Sequence, residues 1–343
     1  MRTCFGAGPS KQNQKCLDDL VKMILDDPSI LEMSHRSEEF LKRITKTKTI
    51  LKELLDVPND MDILFLSGGA SYQFLMCAVN LLHHKAGYLI TGLFSKIAYE
   101  TAQKLGNCEI LYDNTNHPYD LSDFPNEIKK DYDYVYVCLN NSIYGTRTPD
   151  FICDCPVVAD ASSILGIEPI DFKKYSLVFA SAQKNFGMSG MSLVFVKRNL
   201  KFKENIVPLM SYPKQIDANS MLNTPPILSI VMCGLCAEEL LKKKQTLYEE
   251  NKAKAELLYS FLDQSDCFEV LAPMHRSMMN VCFKIKNALD ESHLLEQLNH
   301  AGFDGIKGHR LAGYLRASLN VFVSLDEVNR LIEFLEKIEK TGF

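Results

Sequence analysis

An alternation constrains this chain more than any other feature. Four short apolar runs of β type, at residues 62–67, 87–91, 134–139 and 156–160, each end in a small polar turn, and the first two lead at once into helical spacing. A fifth and a sixth run, 177–180 and 191–196, flank a turn that carries one lysine, Lys184. Apolar runs without a polar face predict strands buried on both sides. Strands that alternate with helices predict an α/β fold with a mostly parallel sheet flanked by helices. In such sheets ligands bind outside the carboxyl ends of the strands. Gly68-Gly69-Ala70-Ser71, Phe94, Ser142, Asp160 and Lys184 all follow or close a strand, so they are expected on one rim.

Each of these positions has two readings by itself. Strand, glycines and helix N-terminus can hold a phosphate on backbone N–H groups, although 68–71 is neither GxGxxG nor a P-loop; a tight βα turn without a ligand uses the same residues. A lysine between buried strands is poorly solvated, which lowers its pKa and exposes a nucleophilic amine; a turn lysine can equally point into water. Phe94 can stack on a planar ligand or pack in the core. Taken together, a lysine amine, a carboxylate, backbone phosphate donors and an aromatic face are what pyridoxal 5′-phosphate (PLP) requires.

A length of 343 residues suggests two domains. The division is expected at 14–250 and 251–343, inside the polar run 242–254, which reads as a solvated helix face; the arm 1–13 is expected to pack with the second domain. In that domain 279–284 reads as a strand, 293–301 as a helix and 314–323 as strand-like. Ser324 and Glu327 form a capping box that opens a last helix. A net charge of −5 argues against a nucleic-acid surface. No apolar run approaches the roughly 18 residues of a membrane span, and the first ten residues hold no apolar leader core, so a cytoplasmic protein is expected. The 11 cysteines are scattered, and Cys153-Asp-Cys155 has no second pair to complete a metal site. They read as free thiols in a reducing compartment.

Beyond the rim, the chain carries Phe5-Gly-Ala-Gly-Pro9, Ser34-His-Arg-Ser37, Leu64-Phe-Leu-Ser-Gly-Gly-Ala-Ser71, Asn140-Asn-Ser-Ile-Tyr-Gly-Thr146 and Ala159-Asp-Ala-Ser-Ser163. Ala182-Gln-Lys-Asn185, Met221-Leu-Asn-Thr-Pro-Pro226, Arg276-Ser-Met-Met-Asn-Val281 and Gly308-His-Arg-Leu-Ala-Gly-Tyr-Leu-Arg-Ala-Ser318 follow in order. In these pieces, over essentially its whole length, the chain resembles the phosphoserine aminotransferases, class V aminotransferases of PLP fold type I. The resemblance implies that Lys184 carries the cofactor, with Gln183 beside it, and that Asp160 pairs with the pyridinium nitrogen. It places Ser142 at the ring oxygen and Ala70 and Ser71 at the phosphate. Asn223 and Thr224 would reach that phosphate from a partner subunit, which implies a homodimer with shared sites. Thr224 before Pro225 also reads as a plain helix cap. Arg316 is implied as the clamp for the substrate carboxylate. Arg36, His309 and Arg310, with His35 nearby, are implied around the substrate phosphate.

The activity implied is a ping-pong transamination of 3-phosphohydroxypyruvate with L-glutamate, giving O-phospho-L-serine and 2-oxoglutarate. Three departures from the family pattern bear on it. Phe94 replaces a tryptophan; Gly166-Ile167-Glu168 replaces a Ser-Arg pair before Pro169, a charge reversal near the rim; and Leu319-Asn-Val321 replaces a Tyr-Asn-Ala run. The alternatives are a class V enzyme with another amino acid and keto acid pair, a PLP-binding relative without turnover, and a dinucleotide-dependent dehydrogenase, which lacks its glycine fingerprint.

Overall fold

The computed structural model describes residues 2–129, 131–286, 290–309 and 313–341. The apolar runs form strands of one seven-stranded sheet. In chain order the larger part contains α1 (Gln14–Asp26), α2 (Glu38–Leu55), β1 (Met61–Ser67), α3 (Ala70–Leu81), β2 (Lys85–Ile90), α4 (Leu93–Gln103), β3 (Asn107–Asp113), β4 (Tyr134–Cys138), β5 (Val157–Asp160), β6 (Leu177–Ser181), β7 (Met191–Lys197) and α5 (Ile227–Leu241). The sheet order is β1-β7-β6-β5-β4-β2-β3. Only β7 runs antiparallel to its neighbours, so the carboxyl ends of the other strands share one edge.

Alternate residues of each strand feed the two faces of the first core. Ile63, Phe65, Val135, Val137, Val178 and Phe195 pack on one face with Phe40 and Ile44 of α2 and Ile230 of α5. Leu64, Leu66, Tyr134, Tyr136, Phe179 and Val194 pack on the other with Phe74 of α3 and Ala98 of α4. Burial on both faces is why these strands lack a polar stripe. Strand β3 is not legible as one in the sequence: it lies at the sheet edge and none of its residues is fully buried. Helix α3 begins at Ala70, not at the Phe74 where its apolar stripe starts, because the first turn closes directly on the Gly69 carbonyl.

A second core is built by α6 (Lys244–Gln264), β8 (Phe268–Val270), β9 (Asn280–Ile285), α7 (Glu291–His300), β10 (Leu315–Ser318) and α8 (Leu325–Thr341), with β8, β9 and β10 forming an antiparallel sheet. The position 250/251 falls within α6, which gives Leu247 to the first core and Ala255, Leu258, Tyr259 and Leu262 to the second. The start of the arm packs on the second: Phe5 is buried in it, and Thr3–Cys4 pairs with Phe303–Asp304. Strand β10 stops at Ser318 rather than continuing to 323, since Asn320 folds its side chain back onto the amides of Phe322 and Val323. The capping box forms as read, with Glu327 N donating to Ser324 Oγ and Ser324 N to Glu327 Oε2. Among the described residues no helix is long and apolar enough to cross a membrane.

Candidate active site

The shared strand edge holds a cavity of about 150 Å³, lined among others by Ala70, Ser71, Phe94, Ser142, Asp160, Gln183 and Lys184. Its floor is the junction of β1 and α3. Gly68 adopts a φ of 94°, and a Cβ there would stand 2.7 Å from the Tyr72 ring, so the turn requires glycine. Gly69 caps α3 without any side-chain hydrogen bond. The helix therefore presents backbone N–H groups and the positive end of its dipole to the cavity. One of these groups, Ala70 N, donates to Ser181 Oγ at 2.8 Å.

Asp160 closes β5 and is 3% exposed. Burial pushes its carboxyl above the usual range, while Ser162, whose N donates to Oδ1 at 2.9 Å, and Lys184 pull it back. Lys184 sits in the turn after β6. Burial first, then the like charge of Arg316, lowers its ammonium to about 8, against the pull of Asp160. Lys184 is half-buried, with its amine held by the Ala7 carbonyl. Arg316, on β10, is 9% exposed; its Nη1 donates to the Ser142 carbonyl at 2.8 Å, and its buried Nε has no hydrogen-bond partner among the described residues. A buried guanidinium with an unmet donor fits an anion that arrives from outside.

The arm completes the site. Lys184 Nζ donates to the Ala7 carbonyl at 2.6 Å, and Ser10 N donates to the Gln183 carbonyl at 2.9 Å. A Cβ on Gly8, whose φ is 151°, would stand 2.7 Å from Nζ. No role for Phe5-Gly-Ala-Gly-Pro9 was legible in the sequence. Its doubled glycine was the only signal for so close an approach. Ser162, Ser163, Ser181, Cys138 and Asn140 also line the cavity, without a role expected from the sequence.

Other expected residues are not brought to the cavity of this chain. His35 is half-buried and Arg36 exposed, in the turn before α2. Asn223 and Thr224 are exposed. Thr224 is not a helix cap, because α5 starts at Ile227 with Pro226 in the capping position. His309 is half-buried outside the cavity lining, and Arg310 lies outside the described residues. Glu168 does not turn inward: it accepts from Arg147 Nε, and Arg147 Nη1 donates to the carbonyls of Leu139 and Thr148. The charge reversal at 168 is thus neutralised by Arg147.

Lys184 yields a pH prediction. Only the neutral amine adds to an aldehyde, so the rate at which cofactor-free protein takes up PLP should rise with pH and level off above about 8. Removing the like charge in Arg316→Ala should move that midpoint upward. Stopped-flow absorbance across pH checks both; a midpoint that stays put in the variant contradicts the coupling.

Fold and site together define a class. The family model for class-V aminotransferases matches residues 3–331, and the chain belongs to that family. Its relatives are more specific. It is 35% identical over 350 residues to a phosphoserine aminotransferase of Bacillus cereus, covering 98% of this chain and 97% of the relative. A solved phosphoserine aminotransferase studied for radiation damage of its Schiff base superposes with a TM-score of 0.92 at 32% identity, covering 98% of this chain and 99% of that one. The PLP-bound phosphoserine aminotransferase from Trichomonas vaginalis gives a TM-score of 0.88 at 28% identity, covering 98% and 100%.

Proposed function

We propose that this chain is a PLP-dependent transaminase that converts 3-phosphohydroxypyruvate and L-glutamate to O-phospho-L-serine and 2-oxoglutarate, within serine biosynthesis. The observation that carries it is one cavity holding a half-buried lysine of lowered pKa, a buried carboxylate and a helix N-terminus opened by glycine, with a buried arginine nearby. These residues fit PLP. Lys184 would link to the aldehyde, Asp160 would face the ring nitrogen, Phe94 would cover the ring, and Ser142 and Gln183 would touch its edges. The N–H groups of Ala70 and Ser71 would take the phosphate. When bound, the cofactor supplies an electron sink for the substrate Cα–H bond.

The chain's own residues do the rest. The Lys184 amine would take the proton from the substrate Cα and return it on the other side of the transfer, and a pKa lowered to about 8 suits both directions. Arg316 binds the substrate carboxylate through the donor it has spare, and its hold on Ser142 fixes the guanidinium plane. Asp160 would be held ionised by a cationic ring partner despite its burial, and would in turn favour the protonated ring.

We further propose a homodimer. Arg36, Asn223 and Thr224 are exposed polar residues without a task in one subunit, and a second subunit would bring Asn223 and Thr224 to the cofactor phosphate and Arg36 to the substrate phosphate, beside His35, His309 and Arg310. The alternative keto-acid pair drew its motive from Glu168, which is occupied by Arg147. The test is direct turnover. L-Glutamate and 3-phosphohydroxypyruvate should yield 2-oxoglutarate and O-phosphoserine in equal amounts. No 2-oxoglutarate from PLP-loaded protein would overturn the proposal. Arg316→Ala should lower kcat/KM for both substrates by roughly 10- to 10²-fold, since each presents a carboxylate; a loss confined to one substrate would remove the clamp assignment.

A further inference from the structure

Helix α6 carries two buried polar side chains one turn apart, and the proposed reaction gives neither a task. Asn251 is 1% exposed and donates through Nδ2 to the carbonyls of Ile167 at 2.9 Å and Gly166 at 3.3 Å. Lys254 is 3% exposed and donates through Nζ to the carbonyls of Asn320 and Val323, both at 3.0 Å. No carboxylate stands within ion-pair distance of Lys254 among the described residues. Burial pushes its ammonium down to about 7. A buried amine with only carbonyl partners is costly, and an apolar side chain would avoid that cost. What the amine provides that an apolar side chain would not is a fixed geometry of two loops.

Those loops meet at the residue next to Lys184. Asn185 is 1% exposed and donates through Nδ2 to the carbonyls of Leu165 at 3.0 Å and Ser163 at 3.4 Å, while its Oδ1 accepts from Val321 N at 3.3 Å. One loop, 163–167, leaves the cavity wall at Ser163. The other, 320–323, continues directly from the strand that carries Arg316. Asn320 also ties that loop to the arm, donating to the Lys11 carbonyl at 3.0 Å.

We propose that Lys254, helped by Asn251, is a positioning residue: by pinning the two loops that hold Asn185, it fixes the Lys184 amine relative to the Arg316 guanidinium. This rests on the transaminase reading given above. Lys254 touches no substrate and acts only through the loops.

The test uses full-length Lys254→Met and Lys254→Arg. A misplacement of an ångström at reacting groups costs roughly up to 10²-fold. In PLP-loaded Lys254→Met, kcat/KM for L-glutamate should fall about 10- to 10²-fold, while the Kd for PLP stays within about twofold. Lys254→Arg should recover most of the loss, because a cleft of about 580 Å³ beside Lys254 leaves room for the larger head. Hydrogen exchange at Val321 and Val323, read on cofactor-free protein, should quicken in Lys254→Met. A variant with lowered Tm but wild-type kcat/KM would overturn the proposal, as would unchanged exchange at Val321. If Lys254→Met does not fold, Asn251→Ala should lower kcat/KM in the same direction, and wild-type kinetics in it would count against the pinning. Exchange does not depend on turnover, so an inactive wild type would count against the transaminase reading instead.

Discussion

Lys184→Ala should abolish transamination and leave the fold intact. General acid–base catalysis by a positioned group contributes roughly 10²- to 10⁴-fold, and Lys184 is also the proposed attachment point for the cofactor, so the loss should reach at least the upper end. Among the described residues the amine makes one hydrogen bond, to the Ala7 carbonyl, and otherwise sits where an ammonium is poorly solvated. Removing it should therefore not unfold the chain. Its native pKa, about 8, lies below the 10.5 of an ordinary lysine, so the unfolded chain binds more protons between those values. Wild-type stability should gain from this group as pH rises through that window, and the gain should vanish in Lys184→Ala. Urea unfolding at two pH values checks the second part and rapid-mix product analysis the first. A variant with near-normal turnover would remove Lys184 from the mechanism.

3-Phosphohydroxypyruvate should exceed hydroxypyruvate in kcat/KM by roughly 10²- to 10⁴-fold. The factor follows from the proposed engagement of the substrate phosphate by Arg36 and Arg310, each of which would give charged hydrogen bonds worth about 1.5–3 kcal/mol. Two engaged, independent arginines give about 3–6 kcal/mol, expressed as discrimination between the two keto acids. Glu168 does not work against it, because Arg147 holds its carboxylate. Arg310→Ala should shrink the preference. Equal kcat/KM in a competition assay would move the chain to another keto acid.

The rim of the site was legible because it follows from alternation. Strand ends in a parallel sheet share an edge wherever the strands lie within it, so Ala70, Phe94, Ser142, Asp160 and Lys184 could be gathered without knowing the strand order. The contribution of the arm was not legible, since Ala7 acts through its backbone carbonyl and any residue has one. Lys254 and Asn251 are hidden for a related reason. They lie in the charged run 242–254, most of which is exposed or half-buried, as a solvated face should be. Their burial depends on loops distant in sequence, 166–167 and 320–323, that fold over them. Edge strand β3 escaped because half-exposed strands lose the apolar continuity that marked the others. Asn223, Thr224 and Arg36 were expected from resemblance, and one subunit leaves them on its surface.

The central claim is that Lys184 and its cavity carry PLP through an amino transfer, and visible absorbance tests it most directly. Purified protein incubated with excess PLP and freed of the surplus should be yellow. L-Glutamate should bleach that band, and 3-phosphohydroxypyruvate added after removal of glutamate should restore it. Lys184→Ala should show neither the wild-type band nor the cycle. A wild-type protein that stays colourless, or one whose band glutamate leaves unchanged, would contradict the account.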